Sequence, residues 1–348
     1  MKLSDHDKEH LEMALNGYNL SNSLSPNGNT NVFNKSNYAA VAFVATGGMT
    51  ATTQCVISLD INLNIYNFPA GINIVMPTLI AGTDYAIYAC TDNTIRADAN
   101  YTIPVGYIST TSRKIGGFHY APGGNATANS GGNTTPAINP YSFWDLKFRP
   151  RCADPRGMAL IANSFWSDIY LLNTDTDANG TSKYGVTIAD GASPPKKPLA
   201  FGGDGSAAYA SLNWWEASEV LTAFGKRLAS YQEYAALAFG TTEASSIGAD
   251  QNTTQLNASY TSKWGIMQST GVIDVWGSNF GGGSAGASWA VNTNGRGSTY
   301  QLPNAAVFGG NWSDGANAGS RFSYWSHAPA VSYAGISGRG VCDHLSLD

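Results

Sequence analysis

The sequence predicts an α+β protein built mainly from short strands and long loops, with few helices. Three observations predict it. The chain of 348 residues contains 39 glycines and only 12% charged residues, a mix that favours turns and pleated segments over long amphipathic helices. Residues 38–112 carry apolar and polar side chains in the two-residue alternation of strands. Two stretches between residues 213 and 240 instead show helix-capping signals followed by apolar residues. With 43% hydrophobic and 11% aromatic residues the chain can fill a core, which excludes disorder, and its length accommodates two domains.

Residues 4–16 predict a short helix in which Ser4 is placed to cap, Leu11 and Leu15 share a face, and Gly17 terminates. An Asn/Ser/Gly-rich linker completes residues 1–36. Over residues 37–112, the runs YAAVAFVAT, TQCVISLDINLNIYNF, INIVMPTLI, DYAIYACTD and TIPVGYIS read as strands of a small all-β sandwich or barrel. Alternation within them puts Ile57, Leu59, Ile61, Leu63 and Ile65 on one face. Its expected role is structural, as a spacer and oligomerisation module. Around Lys114 the composition shifts towards Trp, Tyr and Gly, so a second domain is expected over residues 113–348. Within it Asn213 caps a helix from Trp214 to Phe224, and Ser230 with Glu233 forms a capping box for a helix that runs towards Gly240. Long loops with little periodicity follow.

Composition also restricts function. A net charge of −5 without a basic stripe argues against nucleic acid as a partner. No apolar run approaches the length of a membrane span, and the first residues lack the apolar core of a secretory signal, so neither membrane insertion nor secretion is expected. Cys55, Cys90, Cys152 and Cys342 show no metal-ligand spacing and are expected as buried free thiols rather than a disulfide framework. The five histidines form no zinc pattern, and no cofactor is expected. Asp175, Asp177 and Asn179 before Gly180 start like a calcium loop, but Val186 stands where such a loop needs glutamate, and no metal is assigned. Gly282 to Gly286 fits a GxSxG nucleophile elbow in form only; it lies in the run FGGGSAGAS, expected to be a flexible loop, and no catalytic residue is assigned.

The last forty residues are more specific. Gly309-Gly310, Trp312, Gly319-Ser320-Arg321, Trp325, Pro329 and Gly338 to Cys342 have the character of a frame, with turn glycines, large anchors and a proline. Threaded through it are Asn311, Ser313, Asp314, Gly315, Asn317, Tyr324, Ser326, His327, Val331, Tyr333, Gly335 and Ile336. These share no chemistry, but each can be written by an NNC or NNT codon and so can arise from an asparagine codon by replacing adenines alone. Lys, Glu, Gln, Met and Trp are not reachable that way, and none stands at these positions. The set has the composition of a binding surface, with tyrosines for contact area and Ser, Gly and Asn for adaptable hydrogen bonds.

This ending resembles the major tropism determinants and related variable proteins of diversity-generating retroelements. So do GGFHYAPGG (Gly116 to Gly124), FWDLKFRP (Phe143 to Pro150), DPRGM (Asp154 to Met158), FWSDIYLLN (Phe165 to Asn173), GKRLASYQEYAALAFG (Gly225 to Gly240) and SKWGIMQSTGVIDVWG (Ser262 to Gly277). The resemblance covers residues 113–348 and implies a C-type-lectin-like domain, two helices flanking a twisted antiparallel sheet, with its variable region at 309–342. It further implies a receptor-binding protein at the tip of a phage tail fibre, carried on the virion as a homotrimer among other tail-fibre proteins. The partner would be a bacterial surface protein or glycan, bound through the twelve positions above. Two alternatives share the fold: a cell-encoded variable adhesin, and an enzyme of the formylglycine-generating type. The latter needs two thiols close together near the C-terminus, where the sequence offers Cys342 alone, with Cys152 the other thiol of the domain.

Overall fold

The computed structural model describes residues 32–284, 289–291, 298–300 and 303–345. The helix expected at residues 4–16 lies outside the described residues. In chain order the first part supplies β1 (Phe33–Lys35), β2 (Phe43–Gly47), β3 (Thr50–Thr53), β4 (Ile57–Ile61), β5 (Asn64–Phe68), β6 (Ile74–Val75), β7 (Thr83–Cys90), β8 (Ile95–Asp98), β9 (Ser112–Ala121), β10 (Ala137–Ile138) and β11 (Trp144–Asp145). One sheet has the order β1-β4-β5, and a larger one β10-β9-β7-β8-β6, with β11 also paired to β9 and β2-β3 a separate hairpin. Phe33, Ile57, Leu59 and Phe68 of the first sheet share one core with Tyr85, Ile87, Ile95 and Phe118 of the second.

The run INIVMPTLI is strand only at Ile74–Val75, and two further details differ from the sequence reading, each for a local reason. The apolar face of β4 stops at Ile61, because Asn62 and Leu63 take positive φ of 48° and 69° and turn the chain into β5 as a two-residue hairpin. Leu63 and Ile65 are consequently exposed, not part of the Ile57 face. The run TIPVGYIS is not a strand. The Asp98 carboxylate accepts hydrogen bonds from the N–H groups of Asn100 and Val105, which wraps the segment into surface turns.

Strand β9, which starts at the expected domain boundary, pairs with β7 from Thr83↔Tyr120 to Cys90↔Ser112. The boundary region is therefore continuous sheet. Where β11 meets β9, the buried Asp145 carboxylate binds the Lys35 ammonium at 2.6 Å and accepts from the Ala42 N–H at 2.7 Å, tying three distant segments together.

The second part supplies β12 (Met158–Ile161), β13 (Phe165–Asp168), α1 (Thr176–Asn179), α2 (Trp214–Ala223), β14 (Arg227–Leu228), α3 (Tyr231–Leu237), β15 (Asp274–Ser284), β16 (Trp289–Val291), β17 (Ser298–Tyr300), β18 (Pro303–Phe308), β19 (Ser323–His327), β20 (Ile336–Ser337) and β21 (Gly340–Asp343). Two four-stranded sheets result, β12-β13-β21-β14 and β19-β18-β15-β20, the latter closed by a parallel β15–β20 pair. Both expected helices are present with reciprocal capping boxes, Asn213/Glu216 on α2 and Ser230/Glu233 on α3. Helix α3 ends at Leu237, short of Gly240. The glycine run expected as a loop is instead strand β15 as far as Ser284. Asp175 caps α1 at the Ala178 N–H and pairs with Lys196 at 2.7 Å.

Two buried cations hold the domain together. Lys226 is bound to Asp168 at 2.5 Å and to the Thr181 hydroxyl at 2.7 Å. Arg339, wholly buried, donates to four backbone carbonyls, those of Asp168, Ile169, Met267 and Gln268, at 2.9, 2.8, 2.7 and 3.2 Å.

Candidate functional site

The segment from Gly309 to Cys342 leaves the end of β18, loops outward, returns as β19, loops again and closes through β20 and β21. Its fixed points are strong. Gly309 and Gly310 have φ of 88° and 83°, and a side chain at Gly310 would press its Cβ to 2.7 Å from that of Ala318. The Asn311–Asp314 turn is closed by the Asn311 N–H on the Asp314 carboxylate (2.7 Å) and the Ser313 N–H on the Asn311 side-chain oxygen (2.8 Å). Glu243, from the preceding loop, accepts from both the N–H and the hydroxyl of Ser320 at 2.9 and 2.6 Å. On β19, Trp325 is half-buried and packs edge-on to Phe308, while Tyr324 and Ser326 point outward. Trp312 also packs half-buried against the core. Arg321 is not an anchor of this kind, because its side chain is exposed. The buried arginine of the frame is Arg339.

Of the twelve positions marked in the sequence, Asn311, Asp314, Asn317, Tyr324, His327 and Tyr333 line one open cavity of about 700 Å³. Ser313 and Ser326 are exposed beside it, Gly315 is partly exposed, and Val331 leans half-buried on the core under α2. Gly335 and Ile336 do not line the cavity: both are buried, Gly335 behind Tyr333 and Ile336 among Leu172, Ala189 and Trp276. Burial, which codon chemistry does not report, separates these two from the other ten, all of which are at least partly exposed.

The cavity also includes residues that the codon pattern does not mark: Asp274, Arg321, Phe322 and Ser323. Asp274 begins β15 inside the apolar run GVIDVWG, and a lone carboxylate in a strand buried on both sides was the signal for it. One oxygen, Oδ2, accepts from Asn311 Nδ2 at 3.0 Å and from the Tyr333 hydroxyl at 3.3 Å; Oδ1 has no hydrogen-bond partner. Burial, with Asp314 nearby, pushes the carboxyl up to about 7, against the opposing effect of the Asn311 and Tyr333 hydrogen bonds. Burial also lowers His327 below its ordinary value, so its ring is neutral at pH 7. The ring stands T-shaped to Tyr324 at 4.9 Å and to Tyr333 at 5.7 Å between centroids. Burial and the Asp274 charge raise the Tyr333 phenol.

The two thiols of this domain, dispersed in sequence, are brought together: the Cys152 N–H donates to Cys342 Sγ at 3.1 Å. Both are free and buried, as are Cys55 and Cys90. The contact with Cys342, then burial, raises the Cys152 thiol, while Cys342 is lowered to about 7 chiefly by the same contact. Neither thiol lines the neighbouring cavity of about 370 Å³ bounded by Asp84, Tyr101, Arg156 and Lys226. Among the described residues no group of three or more His, Cys, Asp or Glu side chains is arranged to hold a metal ion.

An α+β domain of the C-type-lectin type, presenting an exposed concavity on a loop–strand–loop segment held by buried anchors, is thus the class of protein that fold and site define. Comparison with known proteins narrows it. Residues 39–145 match the family described as the Mtd second domain. The chain is 52% identical over 325 residues to a tail fiber receptor-binding protein of Bordetella phage BPP-1, covering 91% of this chain and 85% of that protein. Its fold matches the solved M1 variant of the major tropism determinant with a TM-score of 0.90 at 52% identity, covering 91% of this chain and 87% of the other. The P3c variant matches with a TM-score of 0.89 at 53% identity over the same shares of the two chains. The chain belongs to the major tropism determinant family.

Proposed function

We propose that this chain is the receptor-binding protein at the tip of a phage tail fibre, carried on the virion, and that it recognises a bacterial surface molecule through the cavity between Asn311 and Tyr333. The observation that carries the reading is the convergence of six interchangeable residues on one open concavity, in a chain related to a tail-fibre receptor-binding protein. Side chains that face outward from a frame held elsewhere are replaceable at small cost to stability, which is what a surface rewritten by a retroelement requires. Tyr324 and Tyr333 are rigid aromatic anchors for such binding, and their replacement by alanine should each weaken attachment to host cells by about 2 kcal/mol or more. Attachment unchanged in both variants, with melting curves intact, would move the binding site elsewhere.

The assembly is read as a homotrimer, which would raise avidity by ~10²–10⁴ for three weak faces on one particle. Light scattering that gives a monomer at micromolar concentration refutes it. The rival reading, an enzyme of the formylglycine-generating type, would use the Cys152–Cys342 pair. Both thiols are only 3% and 4% exposed and outside the cavity beside them, which favours a packing role.

A further inference from the structure

The receptor-binding reading above leaves open which chemical group the cavity takes, and the inference that follows rests on it. Asp274, 3% exposed, lines the cavity, and its Oδ1 is buried without a hydrogen-bond partner. A desolvated carboxylate with one unsatisfied oxygen gains most from a group that brings both N–H donors and positive charge. The walls suit the same group. Tyr324, His327 and Tyr333 form a run of edge-to-face rings on one side, and Asp314 supplies a second carboxylate. Aromatic faces with carboxylates at the floor stabilise an alkylammonium, through ring quadrupoles and charge together. His327 is held neutral and does not oppose it, so Arg321, exposed at the rim, is the one cation among the lining residues.

We propose that the cavity over Asp274 binds a primary ammonium group of the receptor, with Asp274 as a specificity-determining residue that lies outside the rewritten segment. The aromatic walls change when positions 324, 327 and 333 change; the carboxylate on β15 does not. Each new face is then tried against the same buried carboxyl, which confines recognition to ligands with a donor-bearing cation at their tip.

An ammonium of this kind has two sources, lysine side chains of a protein and amino sugars of a surface glycan. The test uses Nα-acetyl-lysine methylamide and glucosamine as probes, each beside its N-acetylated, neutral counterpart, titrated into the full chain and followed by NMR of labelled tyrosine rings. Binding of either amine with a Kd on the order of 1–10 mM, at least about tenfold tighter than its neutral counterpart, is the expected result. Preference for the lysine probe identifies a polypeptide source, and preference for glucosamine a glycan source. Equal binding of amine and neutral probe, or no binding of either amine, overturns the proposal.

Asp274→Asn, which keeps the side-chain shape, should abolish the preference for amine while the melting curve shows the fold retained. Persistence of the preference in that variant also overturns the proposal. The two readings fail separately. If the tyrosine-to-alanine variants lose host attachment yet no amine binds, the face stands and the ammonium site falls. If amines bind but attachment is indifferent to the tyrosines, the receptor face falls instead.

Discussion

Replacing Arg339 by methionine tests the division between a frame that holds and a face that varies. The side chain is fully buried, and its two terminal nitrogens satisfy four carbonyls drawn from residues 168–169 and 267–268. Methionine keeps most of the volume and removes every donor. Two buried carbonyls, those of Met267 and Gln268, are left without partners, since Ile169 keeps the Met267 N–H and Asp168 the Ser167 hydroxyl; at roughly 2 kcal/mol each the loss is about 4 kcal/mol. The variant no longer has to desolvate a guanidinium, which burial already disfavours, and this returns part of the loss. A net destabilisation of about 3 kcal/mol is expected, because the carbonyls stay buried and unpaired. That corresponds to a fall in Tm of roughly 6–12 °C at the ~2–4 °C per kcal/mol typical of larger domains. Calorimetry of the full chain measures it, with Tyr324→Ala as the comparison, expected within about 0.5 kcal/mol of the unmodified protein. An Arg339→Met protein that melts with the unmodified one, or below which Tyr324→Ala falls, refutes the reasoning.

Glu243→Ala should cost about 1–3 kcal/mol by urea unfolding, since it strands the buried N–H and hydroxyl of Ser320, and it should weaken attachment by loosening the turn that carries Asn317. Asp274 gives a signed pH dependence. Its folded value is raised to about 7, so its contribution to stability is fully present below the ordinary carboxylate range and is lost as pH rises through about 7. Asp274→Asn should therefore gain stability relative to the unmodified protein between about pH 4 and 7 and hold that gain above, as read from Tm against pH. A difference that is flat across this range contradicts the burial of a carboxyl that must ionise.

Sequence made the helices legible because their signals are local: Asn213 with Glu216, and Ser230 with Glu233, lie three residues apart and close their boxes as written. The β4 face was legible as far as Ile61 and then misled, since alternation continues through a turn that only the backbone angles of Asn62 and Leu63 reveal. The candidate site was read from residue types that adenine replacement could produce, and residue type says nothing of direction. Six of its positions meet at a cavity, while Gly335 and Ile336 turn inward. Asp274 was missed because no local pattern links it to Asn311 and Tyr333, 37 and 59 residues away. The Cys152–Cys342 contact, across 190 residues, is invisible for the same reason.

The glycines of the face bear on how many different faces the scaffold can make. At Gly315 φ is 54° and nothing stands within 4 Å of a would-be side chain, so space permits any residue but the backbone favours glycine, asparagine or aspartate. All three can be written by codons that differ from an asparagine codon only at its adenines. At Gly335 the backbone is permissive and the space is not: a Cβ would run into the Tyr333 ring. A larger residue at 335 therefore demands a smaller or redirected one at 333, and the two choices trade volume. Ile336, enclosed beside Trp276, draws from apolar options of similar size. The count of workable faces is accordingly far below the product of the options at each site. Surviving sequences should show correlated pairs, with 333 and 335 the first place to find one.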